Sequence, residues 1–447
     1  MYTSVRNAPE TPDGEAAGPS PADPVGSRSR RRGTRSGRSR ATATRVSGAV
    51  VAVGFVSFFT DASAEMVNAV LPVFLILAVG LTPLQYGVVD GLYQGATVLV
   101  RIVGGYLADR WRRPKLICGL GYGLSAVTKL GMLGVGSVAS GSLVLSVDRA
   151  GKGLRTAPRD AIIAASTDRA GLGRAFGVHR SLDTAGAMLG PLLAFVMLRA
   201  VPGSYDSVFV TSFCIGVVGV AVLALFVPNV RWTAEPAHPA SLRGVLRLTA
   251  DRRVRGLMLA AGLLGLVTVS DGFVYLSLQH RLHTATEVFP LFLLASSGVY
   301  LLLAIPLGRL ADRVGRGRVF LGGHVGLLVL YGLLLASAPA WVTAVGCLAL
   351  LGGYYAATDG VLSATAAAVL PEAVRGSGLS LVQTALAGGR LLSSLLFGLF
   401  WTEFGGQGRA LVVFMVALAV TLPVAGWLLR PPRRAWGTAA PGTSAAG

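Results

Sequence analysis

Long apolar runs recur from residue 46 to residue 430 of this chain. Each is long enough to cross a ~30 Å hydrocarbon core as a helix of about 20 residues. Inside a bilayer no water is available to bond the backbone, so only helices and closed barrels can span it. Barrel strands show short alternating segments, whereas these runs are continuous and rich in Leu, Ala, Gly and Val. The pattern predicts an all-α polytopic membrane protein. With 53% hydrophobic and 14% charged residues and a mean hydropathy of +0.63, the chain is too apolar for an ordinary soluble domain.

Hydropathy puts twelve spans at about 47–79, 84–108, 115–138, 141–165, 175–199, 205–228, 256–279, 287–311, 318–338, 340–369, 377–401 and 408–429. Lys and Arg collect in alternate loops: "DRWRRPK", "DRAGLGR", the connector, "DRVGRGR", "PEAVRG" and the tail "RPPRRAW". The other loops offer essentially Arg199 and Arg281. The positive-inside rule then predicts cytoplasmic N- and C-termini. Residues 1–45 form a basic, Pro/Gly/Ser/Arg-rich tail expected to be disordered, as is the tail 431–447. The basic region, apolar stretch and A-x-A triplet near Ala64 mimic a cleavable leader. We read them instead as the first span, because the helix pattern runs on through "VNAVLPVFLILAVG". A polar connector at 229–255 divides the spans into two six-helix bundles, 46–228 and 256–430.

The net charge of +19 and pI near 10.9 raise the question of nucleic acid. Arg is concentrated in one tail and in loops, without aromatic interleaving or a nucleic-acid motif, so topology explains the charge and no nucleic-acid partner is expected. Cys118, Cys214 and Cys347 lie far apart inside apolar runs and read as packing residues. The five histidines show no metal-ligand spacing beyond a weak His280/His283 pair, so neither a metal nor a cofactor is expected.

The fourth span breaks the apolar rule. "LVLSVDRAGKGLRTAPRDAIIAAS" carries Asp148, Arg149, Lys152, Arg155, Arg159 and Asp160. A charge at bilayer depth costs ~2.5–3.5 kcal/mol even on lenient insertion scales, and survives by facing water or an opposite charge. Asp148, Lys152, Arg155 and Arg159 fall on one helical stripe, with Arg149 and Asp160 on a second beside it. Near the end of the helix, Arg159 and Asp160 fit a structural network with Arg110 and Arg113, or snorkelling to headgroups. Asp148, Arg149 and Lys152 lie deeper and favour function. Lys129 and Arg390 are isolated and expected to be paired structurally. Asp90, Gln94 and Arg101 make a further row on the second span, and His179, Arg180 and Asp183 read as local capping and salt bridging.

The two halves repeat one another: "GGYLADRWRRPK" recurs as "LGRLADRVGRGR", and "FFTD" is echoed by "TVSD", matching Asp61 with Asp271. Such duplication is the transporter repeat pattern. Gly105-x3-Asp109-Arg110 and Gly308-x3-Asp312-Arg313 resemble the loop signature of the major facilitator superfamily. The first copy departs from it at Arg112 and Pro114. Leu145-x3-Arg149-x2-Lys152-Gly153 resembles the family's fourth-helix motif, with Lys152 and Arg155 departing from it. Gly177-x8-Gly186-x3-Gly190-Pro191 is similar to the family's antiporter motif, except for Ala194-Phe195 at its end.

That resemblance implies two pseudo-symmetric six-helix bundles working by alternating access. The first, fourth, seventh and tenth helices would line a central cavity, contributing Asp61, Glu65 and Asn68, then Asp148, Arg149, Lys152 and Arg155, then Asp271, Tyr275 and Gln279, and Asp359. Asp61 or Glu65 is the expected proton site, neutralised by a proton in one state and by Arg149 in the other. The loop residues Gly105, Asp109, Arg110, Arg113, Asp160, Gly308, Asp312 and Arg313 would act as breakable clamps, and Gly186, Gly190 and Pro191 as a close-packed, bendable gate. The antiporter pattern leans the expected function towards proton-coupled efflux of a drug-like or metabolite substrate by a monomer. An importer of an organic anion or siderophore is the alternative. No HExxH, G-x-S-x-G or paired-cysteine motif supports a membrane-embedded enzyme. Arg outnumbering Lys, with abundant Ala and Gly, suggests a high-GC bacterium and hence the inner (plasma) membrane.

Overall fold

The computed structural model describes residues 47–95, 113–168, 171–229, 249–370 and 375–429. The basic tail, Gly105, Asp109, Arg110, Arg101, most of the connector and residues 431–447 lie outside the described residues. The described residues are helical nearly throughout, and no strand occurs among them. Ser47 accepts a hydrogen bond from the Ala49 amide at 3.2 Å and so opens α1, Gly48–Val73. Pro72 lacks an amide proton, and the helix loosens just after it into a π-helical turn, Phe74–Ala78. Next come α2 at 83–95, α3 (Pro114–Gly131) and α4 (Val138–Ala165), the last opened by a Ser137/Ser140 capping box. The first half ends with α5 (Leu172–Ala200) and α6 (Tyr205–Phe226).

The second half opens on α7, Arg252–Leu282, capped by Asp251, which accepts from the Arg253 and Val254 amides. It continues through α8 (Phe289–Val314), α9 (Arg316–Leu335), α10 (Ala340–Val369), α11 (Arg375–Glu403) and α12 (Gln407–Leu428). Ten helices among the described residues are long and apolar enough to cross a membrane. Charge disqualifies α4 on that measure, and α2 is described over 83–95 alone.

Burial is inverted relative to a soluble domain. Leu225 and Leu302 are each 77% exposed, while Lys129, Asp148, Arg149 and Arg155 are 3–6% exposed. Apolar side chains outside and paired charges inside suit a protein whose surroundings are lipid.

Within the first half, α1 packs on α5 and α6, and α3 on α4 and α6. Within the second, α10 packs on α8 and α9, and α11 on the first segment of α7. The glycines expected to form a gate set the α1–α5 approach. A Cβ on Gly190 would sit 2.5 Å from the Ala62 carbonyl oxygen, and one on Gly186 would overlap the Phe58 carbonyl. Pro191 follows within the same unbroken helix. The halves meet where α5 and α1 reach α8 and where α2 lies against α11. Tyr86 of α2 stacks edge-on against Phe273 of α7, with ring centroids 4.9 Å apart.

The seventh span was expected to be continuous, but α7 is broken. Helix runs over Arg252–Leu266, stops, and resumes over Asp271–Leu282. A break at this depth leaves backbone groups that lipid cannot satisfy, so protein must do it. The Val269 amide donates to the Tyr331 hydroxyl at 2.8 Å, and Ser393 donates to the Thr268 carbonyl at 2.6 Å. Tyr331→Phe strands the buried amide and is expected to cost about 1–3 kcal/mol, visible as a lower unfolding midpoint of the purified protein in detergent. An unchanged midpoint would mean that the break holds itself open.

Candidate functional site

The charges of α4 are the first question, and α3 answers half of it. Asp148 faces α3: it takes the Lys129 ammonium at 2.5 Å, the Ser125 hydroxyl at 2.6 Å and the Thr128 hydroxyl at 3.2 Å. Arg149, on the neighbouring stripe, comes within 3.6 Å of the other Asp148 oxygen. Its guanidinium lies 3.8 Å from the centre of the Tyr93 ring and also donates to the Tyr93 hydroxyl. Tyr93 in turn donates to Asn68 on α1 at 2.6 Å. One chain of contacts thus runs from Lys129 to Asn68.

Farther along α4, Arg155 leaves the helix beside Gly121, lies over the Tyr122 ring and pairs with Asp61 of α1 at 3.0 Å. Arg159 reaches Asp160 at 3.1 Å and Asp183 of α5 at 3.7 Å, and Arg180 adds a contact to Asp183 at 3.6 Å. His179 and Ser57 share a hydrogen bond of 2.9 Å on the same interface. Lys152 is half-buried and makes no ion pair within 4 Å among the described residues. The stripe of cations is therefore mostly consumed inside the first half. Breaking such buried pairs leaves charges without compensation, which is what makes them costly to disturb.

A cavity of about 160 Å³ lies between the halves, and one of about 250 Å³, lined by the second half, adjoins it; the two share Asp271, Tyr275 and Leu293 as walls. Glu65, Asn68, Asp90 and Tyr93 close the smaller from the first half, and Ser296, Tyr300, Tyr355 and Asp359 line the larger. Asp271 occupies the first turn of the resumed helix, where its carboxylate is favoured by the exposed amide end. It accepts a hydrogen bond from Tyr355 at 2.6 Å. Tyr275 shares one with Ser296 at 2.6 Å. Asp90 accepts from Ser394 of α11 at 2.5 Å, a hydrogen bond that joins the two halves. Arg390 stands behind this wall, 3.3 Å from the Tyr354 hydroxyl and over the Tyr355 ring.

The structure brings Glu65, Asn68, Asp271, Tyr275 and Asp359 together around the cavities. Asp61 is one turn away and occupied by Arg155, Arg149 is screened behind Tyr93, and Asp148 faces α3. Gln279, farther along α7, is half-buried and lines neither cavity. Of the loop residues, Arg113 caps α3 and is exposed, and Gly308 has open space beside it. Asp312 pairs with Arg316 at 3.0 Å, and Arg316 donates to the Ala364 carbonyl of α10 at 2.9 Å. Arg313, next in the chain, is exposed. Tyr93, Ser296 and Tyr300 are wall residues that the sequence reading passed over. Tyr93 stands three residues after Asp90 and one before Gln94, on the polar face of α2, which was the available signal.

Two sets of apolar, membrane-length helices around a polar cavity walled by both define a membrane transporter rather than an enzyme. The chain belongs to the Major Facilitator Superfamily: the family's sequence model matches residues 53–296 and 257–445. An uncharacterised MFS-type transporter of Methanocaldococcus jannaschii is 30% identical over 364 residues, which is 79% of this chain and 88% of that one. Among solved structures, the nucleoside transporter NupG superposes with a TM-score of 0.73 at 14% identity, covering 85% of this chain and 98% of that one. A D-xylose–proton symporter superposes at 0.66 with 16% identity, over 86% of this chain and 97% of that one. At such identities the likeness is one of fold.

Proposed function

We propose that the protein is a proton-coupled antiporter that exports a small molecule by alternating access, with the cavity between the halves as the substrate site. One observation carries the reading: Glu65 opens on the cavity with no cation against it among the described residues, while Asp61, one turn earlier, is held by Arg155. Of the two carboxylates considered for the proton, Glu65 is thus the one that both a proton and a substrate can reach. Arg149 sits behind Tyr93, and Tyr93 donates to Asn68, three residues from Glu65. A shift of Tyr93 as the halves rock would bring that cation towards Glu65 and favour loss of its proton. Export rather than import is favoured by the α1–α5 packing at Gly186 and Gly190, within the stretch that resembles the antiporter motif. We further propose a bacterial plasma-membrane location with both termini in the cytoplasm, following the loop charges.

The test begins with a metabolite and drug uptake panel in cells with and without the protein. A compound found in this way is then followed in everted vesicles under an imposed pH gradient. Glu65→Gln is expected to keep substrate exchange and lose gradient-driven accumulation by at least about tenfold, the effect typical of removing a positioned proton-transfer group. Full gradient dependence in that variant would remove Glu65 from the coupling step.

A further inference from the structure

We infer that the cavity between the halves takes an organic cation bearing an aromatic ring; this rests on the transporter reading and supplies its substrate class. Charge is the first argument. Glu65, Asp90, Asp271 and Asp359 all reach the walls of the two adjoining cavities, and among the described residues no Lys or Arg lines either one. The basic groups near enough to offset them are otherwise engaged. Arg155 is on Asp61, Arg149 is stacked on Tyr93 and shared with Asp148, and Arg390 is turned to the hydroxyl of Tyr354. Among the described residues Lys152 makes no ion pair and lies outside both walls, so even with Lys152 and Arg390 counted in full the acidic groups there outnumber the cations.

Hydrogen bonding is the second argument. Asp271 accepts from Tyr355 and Asp90 accepts from Ser394, so each is held as an acceptor with an oxygen left over for a donor in the cavity. A ligand carboxylate entering here would add a negative charge to walls that, among the described residues, offer no cation to receive it. An ammonium would instead satisfy groups already in position.

Shape is the third argument. Tyr275 and Tyr300 stand around the acids, as do Tyr93 and Tyr355, each of which already carries a guanidinium over one face. Tyrosine faces attract a cation and stack on a ring, and both contacts strengthen as water is excluded. The two volumes, about 250 and 160 Å³, suit an ammonium head in one and a single ring in the other. Of the cations of the fourth span, Arg149, Arg155 and Arg159 are taken up by Asp148, Asp61 and Asp183, which leaves Lys152 without an ion pair among the described residues.

The experiment uses the full chain in lipid nanodiscs and a matched series of probes: benzyltrimethylammonium and phenethylammonium as cations, 3-phenylpropanoate as the anion, 2-phenylethanol as the neutral ring. Equilibrium dialysis of the labelled compounds is expected to give saturable binding for at least one cation and at least tenfold weaker binding for the anion and the alcohol. Asp271→Asn and Asp359→Asn are each expected to weaken the cation at least tenfold. Asp359 is exposed and without a hydrogen bond among the described residues, so its variant separates binding from folding. The inference is overturned if the anion binds as tightly as the cations, if no cation saturates, or if both variants keep wild-type affinity. Flux is read separately in reconstituted vesicles. A cation that binds but crosses under no gradient sinks the transport reading and leaves the site standing; gradient-driven movement of the anion alone does the reverse.

Discussion

Lys129→Ala is expected to destabilise the protein by about 3–5 kcal/mol, the cost of leaving one member of a buried ion pair alone. Lys129 and Asp148 are 4% exposed each, and their 2.5 Å contact joins α3 to α4. With the ammonium gone, Asp148 retains two hydroxyl donors and a guanidinium at 3.6 Å, too little to compensate its charge at that depth. Arg149 would be drawn towards it and off the Tyr93 ring, carrying the damage to the cavity wall. The measurement is thermal unfolding with size-exclusion monodispersity in detergent, alongside Lys129→Met/Asp148→Leu. An apolar pair of similar volume removes both charges together and is expected to recover most of the loss, since such replacements are often neutral or stabilising. If the single variant proves as stable as the parent, the pair contributes nothing and the charges of α4 need another explanation.

Gly87→Val is expected to leave each helical set folded and to reduce transport to less than about a tenth, in line with losses of 10²-fold for ångström-scale misplacement of a working site. α2 and α11 touch through backbone. A Cβ at Gly87 would lie 2.5 Å from the Ser394 carbonyl oxygen, and one at Gly91 would lie 2.9 Å from that of Leu391. A valine there must push the halves apart along the line where Asp90 bonds Ser394 and Tyr86 meets Phe273. The closed arrangement between the halves is lost, and alternation needs it. The result to look for is a folded, monodisperse protein that still binds substrate at equilibrium and carries almost none across vesicles. Wild-type flux would show that the α2–α11 seam does not tighten during the cycle.

Both variants mark where reading the chain stopped being sufficient. Lys129 looked isolated because its partner lies 19 residues away on another helix, and no spacing rule links them. The stripe Asp148, Lys152, Arg155 and Arg159 is real as helical geometry, yet its members part company: Asp148 turns to α3, Arg155 to α1 and Arg159 to α5. A helical wheel gives the direction of a side chain about one axis and is silent on which neighbour occupies that direction. The break in α7 had a local hint in "VTVS", three β-branched residues and a serine. What holds it open is the hydroxyl of Tyr331 on α9 and that of Ser393 on α11.

The sequence by itself determined the medium, the helical class and the family, because hydropathy is a sum over neighbours in the chain and a span needs no other helix to be recognised. Tertiary structure alone decided which of the buried charges neutralise one another and which remain to face a ligand. Coulomb energy at low dielectric depends on a few ångströms between groups from different helices, and those distances exist only once the helices have packed.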